Sequence, residues 1–271
     1  MKSLTGFPYF LLLLLLLSFR SSDGNQNEIS KDNRLLATSW FALSAEKDAC
    51  YLQAYQLAGL QLETKVLKKK KGQKPFAIVT DLDETALDNS AWSVKVLREG
   101  KDYPDYWSDW EKAAKAPAFP GAVEFFQKAN RLKVPVFYVS NRLAKNLDAT
   151  ISNLKKLGFP NADSSHILLK TSTSNKIERR NLVLKNHDIV MLLGDNLADF
   201  DGVWEEAEMA SRSTYVKNFT NEWGKKFIIF PNPMYGGWKD AIFSYKRGLK
   251  PNQIDSVWNE KLGQFSLKAE F

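Results

Sequence analysis

One cysteine and two histidines are all this 271-residue chain offers of the side chains that build disulfides, thiol catalysis and most zinc sites. Cys50 stands alone, so no intramolecular disulfide can staple the fold. With only His166 and His187 as partners, cysteine-nucleophile chemistry is poorly supported and a histidine-rich metal site is excluded. Cys50 falls in a helical pattern and reads as a buried structural thiol. Long apolar runs are scarce as well. The clear one, Phe7 to Leu17 with seven consecutive leucines from Leu11, is too short to span a bilayer, which takes about 20 residues. Lys2 precedes it and the polar segment Arg20 to Asn25 follows, so residues 1–24 read as a signal peptide cut near Ser22 or Gly24. Export to a periplasm or the extracellular space is expected. No cysteine follows closely enough to make a lipobox, so no stable membrane anchor is evident.

Clustered positive charge is also missing. Lysine and arginine outnumber the acids 38 to 31, a net +7 that helps draw in anions. Yet only Lys68 to Lys71 forms a run, and that reads as a solvated helix end. No nucleic-acid partner is expected, because neither a basic face nor a base-stacking motif is evident. Internal repeats and low-complexity linkers are absent too, which leaves a single domain over residues 25–271. The sequence does not specify an oligomeric state.

What the chain does have is an alternation of apolar runs and helical patterns. Spacings of three, four and seven through Leu36, Trp40, Leu43, Cys50, Ala54 and Leu57 predict an amphipathic helix over about 33–67. Runs at Phe76 to Thr80, Val134 to Val139, Ile189 to Leu193 and Phe227 to Phe230 predict buried strands. Helical stretches near 120–132, 144–157, 175–185 and 203–210 lie between them. That order predicts an α/β fold with a parallel sheet flanked by helices. Residues 89–119, rich in aromatics, read as an insertion over the sheet's active edge. The tail from Met234 reads as helical and packed back on the core.

In "FAIVTDLDETALDN" (76–89), four carboxylates crowd the end of the first strand. Asp81 and Asp83, two apart, can point the same way there. The other two central strands end in Ser140-Asn141-Arg142 and Gly194-Asp195-Asn196. Ligands of open parallel sheets bind beyond those carboxyl ends. Asp195 and Asp199, four apart, share a face on a helical turn. Gathering Asp81, Asp83 and Asp195 costs several kcal/mol unless a cation sits among them. An all-oxygen ligand set suits Mg²⁺.

Asp81-Leu82-Asp83-Glu84-Thr85 resembles the D-x-D-x-T signature of the haloacid dehalogenase (HAD) superfamily, and Ser140, Lys176 and Asp195/Asp199 fall in its later motifs in order. The strings "DLDETALDNSAW", "SNKIERR", "GDNLADF" and "YGGW" are similar to the secreted class C acid phosphatases, also called the outer-membrane lipoprotein e family of 5′-nucleotidases. The resemblance runs from about residue 34 to 245. It implies a HAD-like Rossmannoid sheet, a helical N-terminal extension and a cap-like insertion. It further implies an aspartyl-phosphate on Asp81, with Asp83 as general acid and then base and its backbone carbonyl on the metal. Ser140 and Lys176 would hold phosphoryl oxygens, with Lys176 preferred to Lys170 because it aligns with "SNK". Asp195 would complete the Mg²⁺ site, with Asp199 close by.

Asp88 reads as an Asx turn and Glu84 as a helix or loop ion pair. Trp92 and Tyr235 lie in matching motifs and are candidates to stack a nucleoside base, with core packing as the alternative. Lys170, Arg179 and Arg180 read as surface or structural contacts. Asn218-Phe219-Thr220 fits an N-glycosylation sequon. The expected activity is Mg²⁺-dependent hydrolysis of small phosphomonoesters, nucleoside 5′-monophosphates first. The alternative is a non-catalytic phosphate-binding or storage protein on the same fold, as in the related plant vegetative storage proteins.

Overall fold

The computed structural model describes residues 32–266; the signal peptide expected over 1–24 lies outside the described residues. Five strands, β1 (Phe76–Thr80), β2 (Val136–Leu143), β3 (Ile167–Lys170), β4 (Asp188–Gly194) and β5 (Phe227–Ile229), form one sheet in the order β3-β2-β1-β4-β5. Every pairing is parallel. From β1 the chain steps outward through β2 and β3, then returns across β1 to β4. The order therefore reverses beside β1, and the crevice outside that point is where doubly wound sheets bind ligands.

Parallel strands buried on both faces read as unbroken apolar runs, and β1 does so. Phe76 and Ile78 point into a larger core with Tyr51, Tyr55, Phe125, Phe126 and Leu154. Ala77 and Val79 point the other way, into a smaller core with Val183, Phe200, Trp204 and Phe227. The alternation follows from the two-residue period of a strand. Among the described residues ten helices accompany the sheet: α1 (Leu35–Leu43), α2 (Ala45–Leu67), α3 (Ser90–Arg98), α4 (Trp107–Ala113), α5 (Ala122–Arg131), α6 (Leu147–Leu157), α7 (Ile177–Leu184), α8 (Met209–Asn218), α9 (Gly237–Ile242) and α10 (Pro251–Ser266).

Several expectations are corrected. The single helix over 33–67 is two, broken at Ser44, whose extended backbone lets its side chain accept from the Lys47 N–H and cap α2. The buried stripe of α2 is Tyr51, Tyr55, Ala58 and Leu62, not the one through Leu36, Leu43 and Cys50. Leu36 and Leu43 stand 83% and 82% exposed, and Cys50 is exposed rather than a buried thiol. Tyrosine hydroxyls misdirect such a reading, because they mark as polar two rings that are among the most buried of the helix. The helix expected near 203–210 is a short turn at Gly202–Trp204 capped by Asp201, and α8 begins only at Met209. Strand β3, four residues at an edge with only two buried, is too short and half-exposed to stand out as an apolar run. In the tail, α10 touches α9's end through Trp258 against Phe243, while Leu262 is 62% exposed.

Within 89–119, α3 and α4 carry an aromatic knot. Trp92 meets Trp107 edge-on at 4.9 Å and Tyr103 at 6.5 Å. An isolated bridge between Leu87 and Ala118 closes the base of this segment. Among the described residues, no helix is long and apolar enough to cross a membrane.

Candidate active site

The end of β1 is pinned to the end of β4 by the Asp81 N–H donating to the Leu193 carbonyl at 2.9 Å. The chain then turns tightly, with the Leu82 carbonyl accepting from Ala86 and Leu87 at 2.8 Å each. Glu84 takes a left-handed backbone (φ 55°) inside that turn. Tyr51 and Tyr55 of α2 reach over and donate to the carbonyls of Glu84 and Thr85. The loop carrying the reactive acids is thereby held by a helix that precedes the sheet.

Three carboxylates meet here. Asp81, Asp195 and Asp199 each offer an oxygen, and these oxygens lie within 4.8 Å of one another. Asp195 follows β4 directly, held by the Thr85 hydroxyl at 3.2 Å and the Asn232 amide at 2.8 Å. Asp199 sits in the short turn Leu197–Asp199, where it accepts from the Asn196 N–H at 3.0 Å. A Cβ on Gly194 would collide with the Asp199 side chain, so the close approach needs glycine. Lys176, just ahead of α7, places its ammonium 2.6 Å from Asp199 Oδ1 and 2.8 Å from Asp81 Oδ1. Lys170, the rejected rival, ends edge strand β3.

The charges do not balance. Three carboxylates against one ammonium leave two negative charges in a buried pocket. Burial first, then Asp199 and Asp83, push the Asp81 carboxyl up to about 7, with Lys176 pulling against them. Burial, Asp199 and Asp81 raise Asp195 well above the usual carboxylate range. Burial pulls Lys176 down, but Asp199 and Asp81 more than offset it and its value is raised. Asp81 Oδ1 faces the Lys176 ammonium at 2.8 Å, a cation it shares with Asp199. A divalent cation fits this set: convergent all-oxygen donors and a residual charge of two.

Asp83 stands apart from that trio, which corrects the picture of Asp81 and Asp83 converging on one point. Its carboxylate is gripped by Arg142, with Nη2 and Nε at 2.7 and 2.9 Å from Oδ1, and by Asn89 at 3.0 Å. Ser140, fully buried on β2, points its hydroxyl at Asp83 Oδ2 at 3.3 Å. Glu84 is fully buried and accepts the Asn89 N–H at 3.2 Å; among the described residues it makes no ion pair and its Oε2 has no partner. Burial and the charges of Asp83 and Asp195 raise it well above the usual range. Asp88 does form the expected Asx contact, accepting from the Ser90 N–H at 2.8 Å, and it also pairs with Lys47 at 3.1 Å.

The two candidate stacking residues lie on opposite flanks. Trp92 is 7% exposed, its indole N–H donating to the Asp105 carbonyl, so its ring is committed to the aromatic knot. Trp107 of that knot lies 6.0 Å from the Arg142 guanidinium. Tyr235, 38% exposed, bonds through its N–H to Asn232, the residue that holds Asp195. Arg179 and Arg180 bond to backbone carbonyls of Ser140, Ala198 and Asp199. Arg142, Asn89 and Asn232 were not singled out from the sequence. Arg142 had a signal, since two residues after Ser140 on a strand means the same face. Asn89 lies six residues from Asp83 with no period that pairs them, and Asn232 is 37 residues from Asp195.

Residues 33–238 match the family model for the HAD superfamily, subfamily IIIB (acid phosphatase). The fold is similar to that of a class C acid phosphatase from Bacillus anthracis with tungstate bound, with a TM-score of 0.81 at 39% identity over 84% of this chain and 95% of that one. Another structure of the class C acid phosphatase from that organism gives 0.80 at 40% identity over the same shares. Vegetative storage protein 1 of Arabidopsis thaliana is 28% identical over 130 residues, 45% of this chain and 47% of that protein. Stem 31 kDa glycoprotein of Glycine max is 26% identical over 128 residues, 45% and 50% of the two lengths. The chain thus spans about half the length of the curated relatives it matches.

Proposed function

Because the chain belongs to subfamily IIIB of the HAD superfamily, the acid phosphatases, we propose that it hydrolyses phosphomonoesters through an aspartyl-phosphate on Asp81. The observation that carries this reading is the setting of Asp81: a buried carboxylate at a strand end, gathered with Asp195 and Asp199 and with the Lys176 ammonium 2.8 Å from its Oδ1. Asp81 attacks phosphorus while Lys176 offsets the charge that gathers on the phosphoryl oxygens. Asp83 protonates the departing oxygen and then takes a proton from the water that cleaves the aspartyl-phosphate. Ser140 helps hold the phosphoryl group. Asp81, Asp195, Asp199 and the Asp83 carbonyl would hold Mg²⁺, which supplies charge neutralisation for phosphoryl transfer.

A small-molecule substrate is in keeping with the crevice beside β1, and nucleoside 5′-monophosphates are the preferred class. Exposed Tyr235 beside Asp195 and the aromatic knot beside Arg142 support that preference. Export rests on residues 1–24 alone. The test is a panel of p-nitrophenyl phosphate, nucleoside monophosphates, sugar phosphates and phosphotyrosine, with and without Mg²⁺. Turnover that needs the metal and vanishes in Asp81→Asn supports the reading; full activity in the chelated enzyme or the variant overturns it. The plant relatives favour a second reading, a storage protein that binds phosphate without turnover. It requires that no ester in the panel be hydrolysed.

A further inference from the structure

We propose that Arg142 and Asn89 are positioning residues that aim the Asp83 carboxylate at the leaving-group oxygen. The proposal rests on the reading of Asp83 as the general acid. The two carboxylate oxygens are treated unequally. Oδ1 accepts three close bonds, from Arg142 Nη2 at 2.7 Å, Arg142 Nε at 2.9 Å and Asn89 Nδ2 at 3.0 Å. Its acceptor capacity is spent. Oδ2 accepts from Arg142 Nε at 3.1 Å and lies 3.3 Å from Ser140 Oγ. With Oδ1 held from three directions, rotation about the carboxyl bond is restrained.

The holders are themselves held. Arg142 and Asn89 are each 1% exposed. The Arg142 N–H is accepted by Ser140 Oγ at 3.1 Å, and its guanidinium lies near the Trp107 ring. Trp110 of α4 donates its indole N–H to Asn89 Oδ1 at 2.8 Å, which fixes the amide so that its NH₂ faces Asp83. The insertion thus reaches the proton donor through one tryptophan and one amide. Two N–H groups of one planar guanidinium on the same carboxylate fix its orientation in a way an ammonium cannot.

The experiment measures kcat/KM for Arg142→Lys and Asn89→Ala across esters whose leaving groups range from 2,4-dinitrophenol to an aliphatic alcohol. A poor leaving group needs the proton; dinitrophenolate does not. In Arg142→Lys the alkyl ester should lose about 100-fold and the dinitrophenyl ester less than about fivefold. Asn89→Ala should show the same pattern at about 10-fold and serves alone if Arg142→Lys does not fold. Inhibition by inorganic phosphate should change little in either, and Arg142→Lys should add no leaving-group selectivity in an Asp83→Asn background. Equal losses on both esters, or weakened phosphate inhibition with no leaving-group dependence, overturn the assignment in favour of packing or phosphate binding. A wild-type chain that cleaves neither ester sinks the phosphatase reading and this assignment with it.

Discussion

Replacing Asp81 by asparagine should abolish turnover and yet stabilise the metal-free protein at pH 8. Asp81 is pushed up to about 7 from an ordinary 3.8, chiefly by burial and then by Asp199 and Asp83. A shift of roughly 3 pH units corresponds to about 4 kcal/mol that the native state forfeits once the carboxyl ionises. Asp195 shares the repulsion, so we expect a net gain of about 2–4 kcal/mol, or ~5–10 °C in Tm for a domain of this size. The sign follows from proton counts. Between the unfolded value of 3.8 and about 7, the native carboxyl keeps its proton while the unfolded chain loses it. Wild-type stability therefore falls as pH rises through that window, and the variant is spared. Its advantage should be nearly absent at the acid end of the window and full above about pH 7. Thermal melts in chelator across that range measure it, and adding Mg²⁺ should stabilise wild type more than the variant. A variant less stable than wild type at pH 8, or a gain indifferent to pH, would refute the reasoning.

Lys176→Met should cost the metal-free protein about 3–5 kcal/mol in urea unfolding, because it strips the ammonium from two buried carboxylates; a loss under about 1 kcal/mol would mean the pair is not desolvated as drawn. Gly194→Ala puts a methyl where the Asp199 side chain lies, and should weaken Mg²⁺ binding about 10–100-fold by titration with the fold intact. Unchanged affinity would remove Asp199 from the metal's surroundings. Tyr51→Phe deletes the donor to the Glu84 carbonyl and should cost about 1–3 kcal/mol of thermal stability; no loss would mean that water replaces it.

How much of this was legible in the sequence varies with the physics of each element. Strand β1 could be read residue for residue, because a strand buried on both faces must be apolar throughout. The acids at 81, 83 and 195 announced the crevice, because strand ends are where a parallel sheet presents its loops. The direction in which Asp83 turns was not legible. It is decided by Arg142 and Asn89, whose claim on one oxygen is a matter of ångströms rather than spacing. Nor was the burial of Glu84, since a carboxyl tucked under a left-handed turn looks in sequence like any loop acid. Lys176 is legible as a charge that helps offset the acids; the structure adds that it touches both Asp81 and Asp199, removing one of three charges and so fitting the site to a divalent ion.

Helix α2 has a consequence for where this protein can be divided. By topology it is an appendage, finished before the first strand begins. Yet Tyr51 stacks between Phe119 and Phe230, at 3.7 and 5.0 Å between ring centres. A fragment starting at β1 would keep every acid of the crevice while losing the hydroxyls that hold their loop, and it would present those rings to water. The link between helix and sheet is the exposed stretch Lys68 to Lys71, an accessible place for a protease to cut. One nick there would yield two pieces joined only by packing. Separating and recombining them would then switch the site off and on without touching a single residue inside it.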